Sequence, residues 1–219
     1  GIEEIVFKDD SQLEEIGSHA FWGHRVKKLT FPSSIKTLGE FAFAHSDRLE
    51  DVDFSKCYSL KSLPQNLFVH SRAMKTLLLP AGLEKIEREG LAGIGLKLLD
   101  LSDINKSETK IEVKVPDIKK WGVSLPAYKL EDAPYLKYTS NLIIEAEAFK
   151  DSTINEIVLP EYKDKNLKAD AFKDANFNKV RFIGLKLNQK FINELKKART
   201  LGKLEFTNLE KFEEEEKEL

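Results

Sequence analysis

The chain repeats one six-residue pattern, apolar-x-x-apolar-x-apolar, at nearly even intervals. It reads IEEIVF from residue 2, VKKLTF from 26, LEDVDF from 49, MKTLLL from 74 and LKLLDL from 96, at steps of 24, 23, 25 and 22 residues. It resumes with APYLKY from 133, INEIVL from 154, FNKVRF from 177 and LGKLEF from 201, at steps of 21, 23 and 24. A fixed period of this length predicts a stack of similar turns, because one such unit is too small to enclose a core of its own.

Within each copy the last two apolar positions alternate with polar ones, as a short strand with one buried face requires. The inward pairs are Ile5/Phe7, Leu29/Phe31, Val52/Phe54, Leu77/Leu79, Leu99/Leu101, Leu136/Tyr138, Ile157/Leu159, Val180/Phe182 and Leu204/Phe206. Pro32, Pro80 and Pro160 close three of the copies. Proline has no N–H to give a ladder, so the strands are expected to end there. A second apolar pair follows, such as Ile35/Leu38 or Leu60/Leu63, and then an aromatic at Phe21, Phe43, Phe68, Phe149 or Phe172, with Leu91 once in its place. Stacked turns would pool both sets in one continuous interior.

The phrase LTFPSSIKTLGEFAF (29–43), echoed by VLPEYKDKNLKADAF (158–172), resembles the BspA-type leucine-rich repeats, whose layers run strand, proline, then an isoleucine-glycine-x-x-alanine-phenylalanine segment. The match is specific in the first four layers and in the two after residue 142. The resemblance implies an α/β-type solenoid, a right-handed coil with a parallel sheet on one face and short irregular or helical segments on the other. It also implies a non-catalytic module, secreted or displayed on a bacterial surface, that binds a protein or glycan partner in adhesion. A structural spacer or assembly domain of a larger surface protein is the alternative. On this pattern residues 1–219 form a single repeat domain, with repeats over 1–101, an insertion or irregular layer over 102–132, repeats over 133–206 and an acidic tail over 207–219.

The insertion follows from spacing. Leu99 and Leu136 lie 37 residues apart where 23 is usual, so roughly 14 residues are extra. Two readings stand for this segment, which carries Trp121 and Tyr128 and runs up to Tyr135. Exposed aromatics would anchor a partner there, or IEVKV (111–115) adds an irregular strand and Trp121 seals a gap between two half-solenoids.

The outward positions predict two rows along the sheet. One runs Glu4, Lys28, Asp51, Thr76, Leu98, Tyr135, Glu156, Lys179, Lys203, and the other Val6, Thr30, Asp53, Leu78, Asp100, Lys137, Val158, Arg181, Glu205. Opposite charges alternate along much of the first row and would pair across turns. What remains is a small apolar patch. The candidate ligand-binding residues are therefore Leu78, Leu98, Trp121, Tyr128 and Tyr135.

Charged residues make up 33% of the chain but the formal net charge is only −2, so there is no global pull toward nucleic acid or an anionic membrane. No apolar run is long enough to insert directly in a bilayer. Cys57 is the one cysteine, which excludes an internal disulfide and a cysteine-based zinc cluster. His45 and His70 each follow a layer phenylalanine by two residues, where Gly23 and Gly93 stand in other layers; a turn role is favoured over metal binding. Asn105 opens an NKS sequon. No nucleotide-binding, hydrolase or zinc-protease motif is present, so neither catalytic residues, metal nor cofactor is expected. LNQKFINELKKAR (187–199) has helical spacing, with Asn188 as cap and basic residues in its last turn. The first copy has nothing upstream to cover it, which suggests that the native protein continues on that side or that this end packs against another molecule.

Overall fold

The computed structural model describes residues 2–8, 10–111, 135–184 and 189–207. In chain order its elements are β1 (Glu15–Ile16), β2 (Lys28–Thr30), β3 (Thr37–Leu38), β4 (Asp51–Asp53), β5 (Ser62–Leu63), β6 (Thr76–Leu78), β7 (Lys85–Ile86), β8 (Gly95–Asp100), β9 (Lys106–Ile111), β10 (Tyr135–Ser140), β11 (Ile143–Ile144), β12 (Thr153–Tyr162), β13 (Asn176–Ile183), α1 (Gln189–Leu195) and β14 (Thr200–Thr207).

The sixfold pattern becomes a parallel ladder. β2, β4 and β6 pair with Leu29↔Val52↔Leu77 in register. β8, β12, β13 and β14 pair with Leu99↔Ile157↔Val180↔Leu204 in register. The first copy makes no strand, yet Ile5 and Phe7 pack against the core and the Phe7 ring lies 5.4 Å from Phe31. The second apolar pair builds two further parallel ladders, β1 with β3 and β5 with β7 and β11, extended by a bridge from Ile144 to Leu167. Between the ladders the layer aromatics stack: Phe21 on Phe43 at 5.5 Å, Phe43 on Phe68 at 5.8 Å, Phe149 on Phe172 at 5.6 Å. One apolar cluster runs from Ile16 to Leu195.

The third edge of each turn is neither strand nor, with the exception of α1, helix. Two left-handed residues flank each layer aromatic. Two positions before it stand His19, Phe41, Asn66, Glu89, Glu147 and Asp170, and two after it Gly23, His45, His70, Gly93, Asp151 and Asp174, all with φ between 54 and 67°. This alternation turns every second N–H along the axis, where it meets the carbonyl of the next turn: His19 to Glu40, Phe21 to Ala42, Gly23 to Ala44, and likewise Phe41, Phe43 and His45 to Gln65, Leu67 and Val69. A left-handed residue with a side chain costs about 1 kcal/mol, and a backbone hydrogen bond returns about the same. The balance is decided by the phenylalanine between them, whose burial contributes roughly 1.5–3 kcal/mol. Just beyond, buried serines close the turn, with Ser46 and Ser71 Oγ donating to Phe43 O at 2.7 and 3.0 Å and Ser152 Oγ to Phe149 O at 2.6 Å. His24 occupies this place in the first turn. Its Nδ1 accepts from the Val26 N–H at 3.1 Å, its Nε2 is buried without a hydrogen-bond partner among the described residues, and burial lowers its pKa from 6.5 to about 4.

Three expectations need correction. Leu136 and Tyr138 are not a rung of the stack. β8 pairs directly with β12, and in the same way the N–H groups of Leu91 and Gly93 reach Ala148 and Lys150, so the turn after Leu101 is completed only at Leu142–Phe149. The chain between is an excursion whose described part is an antiparallel pair, β9 with β10, touching the solenoid where Thr139 and Ser140 pair with Glu161 and Tyr162. Pro160 does not end its strand either. On that edge of β12 the pairing with β8 stops at Val158 and that with β10 starts at Glu161, so the missing N–H falls in the gap between two partners. Finally, α1 buries Phe191 and Leu195 as its spacing predicts but ends before the basic residues; Lys197 lies beyond it, paired with Glu194 and Asp170. Asn188 lies outside the described residues.

Phe43→Ala should lower stability by about 3–5 kcal/mol in equilibrium denaturant melts, and Lys28→Ala by under about 0.5. Equal losses would contradict the stacked interior. The His24 proton is taken up by the unfolded chain below about pH 6.5 but by the folded one only near pH 4. Stability must therefore fall as pH drops through that window, and His24→Asn should lose less of its melting temperature between pH 7 and pH 4 than the wild type.

Candidate functional site: the solvent face of the sheet

Residues that alternate with the buried leucines point outward, and the ladder sets them side by side. The register gives Lys28↔Asp51↔Thr76 and Leu98↔Glu156↔Lys179↔Lys203 in one row, and Thr30↔Asp53↔Leu78 and Asp100↔Val158↔Arg181↔Glu205 in the other. Where strands pair, the predicted rows hold in register except at Tyr135 and Lys137, which pair with Ile111 and Thr109 in the excursion; Val158, expected to point outward, is buried, and Glu4 and Val6 lie in no strand. The neighbour of Leu98 is Glu156.

Most charges on this face are spent on each other. Lys28 lies 3.4 Å from Asp51, and Glu156 takes Arg181 at 2.5 Å and Lys179 at 3.6 Å. Glu205 is held by Lys203 at 2.5 Å and Lys179 at 2.9 Å, and the hydrogen bonds from Lys203 and then Lys179 bring its carboxyl down to about 2. Solvent screens exposed pairs of this kind, so each adds little to stability, but together they leave little unmatched charge for a highly charged ligand.

Two leucines interrupt the pattern. Leu78 and Leu98 are each 47% exposed, on β6 and β8. Between these strands no paired register forms, and one long backbone bond, Lys97 N to Lys75 O at 3.4 Å, joins them. The apolar patch therefore sits on the seam between the two halves of the sheet. Both leucines are exposed on this face, whereas the Tyr135 backbone lies in the antiparallel pair. Trp121 and Tyr128 lie outside the described residues. Further along the face Val158 is 1% exposed, and the buried Tyr162 hydroxyl has no hydrogen-bond partner among the described residues. Burial, with the nearby Asp100 charge, pushes that phenol well above its ordinary range. A cavity of about 10 Å3 beside Tyr162 and Phe191 has room for about one water.

The chemistry of the remaining candidates is plain. Cys57 is buried, its thiol pushed up to about 11 by burial and by Asp53, so it is not a thiolate nucleophile. His45 and His70 are neighbours, their rings 4.6 Å apart and tilted by 39°, as left-handed turn residues. Among the described residues no group of three or more His, Cys, Asp or Glu could hold a metal ion. No described helix is long and apolar enough to cross a membrane. The sequence reading missed that the two histidines continue into Trp22, Phe41 and His19, because it followed the layer phenylalanines and not the residues beside them. The available signal was Trp22 itself, one residue after Phe21.

The chain belongs to the BspA-type leucine-rich repeat family: the model of the BspA type leucine rich repeat region matches residues 1–114 and 132–215, in six copies. Among solved structures it is similar to a leucine-rich repeat protein from Bacteroides ovatus, at 16% identity and a TM-score of 0.35, covering 89% of this chain and 46% of that one. A leucine rich cell surface protein from Faecalibacterium prausnitzii is similar at 14% identity and a TM-score of 0.31, covering 89% of this chain and 77% of that one. The chain thus spans less than half the length of the first of these. No curated protein matches it.

Proposed function

We propose that this chain is a non-catalytic binding module of a secreted or cell-surface protein, and that it takes a protein or glycan partner on the sheet face around Leu78 and Leu98. The observation that carries the reading is the pair of half-exposed leucines at the seam of an otherwise charge-paired face. Membership of the BspA-type family supports a surface role, and the F. prausnitzii protein is itself described as a cell surface protein. The coil is taken as right-handed, the hand that connections between parallel strands adopt. No catalytic role is assigned to any residue. A second reading, a spacer that carries a partner domain without a ligand of its own, is favoured by the self-neutralised charges of the same face.

The two readings separate in a binding screen of the wild type against purified extracellular proteins and a glycan array, run beside Leu78→Ser/Leu98→Ser and Trp121→Ala/Tyr135→Ala. The binding reading expects a ligand whose affinity falls at least about tenfold in the leucine variant while its melting curve is unchanged. Absence of any ligand favours the spacer, and equal binding by all three proteins removes the sheet face as the binding site.

A further inference from the structure

We propose that the left-handed edge of the first three turns carries a second site, a strip of aromatic and imidazole rings that binds a neutral polysaccharide lying along the axis of the solenoid. The site is separate from the sheet face and does not depend on it.

The rings are Trp22, His19, Phe41, His45 and His70. His19 stacks on Phe41 at 5.0 Å and on Trp22 at 5.3 Å, Trp22 meets His45 at 4.5 Å, and His45 meets His70 at 4.6 Å. Their line crosses three successive turns. Trp22 is 46% exposed, the histidines are exposed and Phe41 is half-buried; neither Trp22 nor Phe41 packs against the core.

The fold does not ask for rings here. In the later turns the same left-handed places hold Asn66, Glu89, Glu147, Asp151, Asp170 and Asp174, the short or polar side chains usual on an exposed turn. A phenylalanine at φ 56° is an outlier by residue type, and the exposed indole beside it packs on its neighbouring rings and not on the core. Two departures at one spot, joined by three histidines, call for a ligand.

The chemistry selects the class. None of the five side chains is a carboxylate, a lysine or an arginine, which disfavours a polyanion or polycation. An extended peptide would need free backbone groups to pair with, but the N–H groups of His19, Gly23, Phe41 and His45 are already bonded to the next turn. A sugar needs no such groups. The C–H face of a pyranose packs on an indole or phenyl ring, and its hydroxyls bond to imidazoles, amides and carboxylates. Those continue the strip: Gln65 Nε2 and Asn66 Nδ2 each lie 3.3 Å from Glu89 Oε2 on the neighbouring turns. Successive turns are spaced by about 4.8 Å, close to the advance of one pyranose in an extended glycan, so ring and sugar stay in step.

The test uses the Trp121→Phe protein, in which Trp22 is the sole indole, since the chain has two tryptophans. The probes are hydroxyethyl cellulose, laminarin, xylan and galactomannan, and the readouts are retardation in affinity gels and the shift of tryptophan emission. At least one probe should retard the protein and shift its emission. Trp22→Ala, tested by retardation with its fold checked by circular dichroism, should weaken that binding tenfold or more. Phe41→Asn and His45→Ala should weaken it severalfold, and Leu78→Ser/Leu98→Ser should leave it unchanged. Failure of all four probes, retention of binding in Trp22→Ala, loss of binding in the leucine variant, or a protein ligand that alone occupies the strip would each overturn the proposal. Because the leucine variant reports on the sheet face and Trp22→Ala on the edge, failure of one reading leaves the other standing.

Discussion

No turn of this chain has an inside until its neighbours are in place. Phe43 is enclosed by Phe21 and Phe68, and its own N–H and those of Phe41 and His45 find their acceptors on the next turn. Burial and hydrogen bonding therefore become available together, by stacking, and the left-handed residues that aim those groups along the axis are tolerated only because both arrive at once. Every regularity in the sequence is a requirement of that stacking.

The same constraint shows where the chain is at liberty. Inward positions and the serines beside the layer aromatics are bound to their roles, but the outward rows of the sheet and the left-handed edge are not. Along the sheet the freedom is used chiefly for mutually paired charges, with Leu78 and Leu98 as exceptions. On the edge it is used twice, for rings in the first three turns and for ion pairs in the later ones, where Glu147 meets Arg88 and Lys173 and Arg199 meets Asp151. Departures from these local habits point to function because stacking does not explain them.

How far the sequence could be read follows from the same distinction. The column Leu29, Val52, Leu77 and the facing rows of Glu156 and Lys179 were legible because inward and outward positions repeat with the period. Leu136 and Tyr138 were misread because alternation marks a strand without saying which strand it joins. Tyr135 left the candidate site with that rung. Leu78 and Leu98 do face outward, because their own rungs were placed correctly. The ring strip was harder to read for another reason, since it depends on φ values that gather residues three or four apart in one turn with others one turn away.

The excursion after Leu101 is tied at its neck. Ile104 keeps the anchoring bond back to Leu101, Ser140 Oγ donates to Ile104 O at 2.7 Å, the Asn141 N–H reaches Asn105 O, and the Asn105 N–H reaches Ala81 O in the turn below. The repeat is thereby sealed beneath whatever length of chain departs from it. Such a neck is a natural splice point: lineages could lengthen, shorten or exchange the appendage without renegotiating the scaffold, and an engineer could graft a different one at the same place.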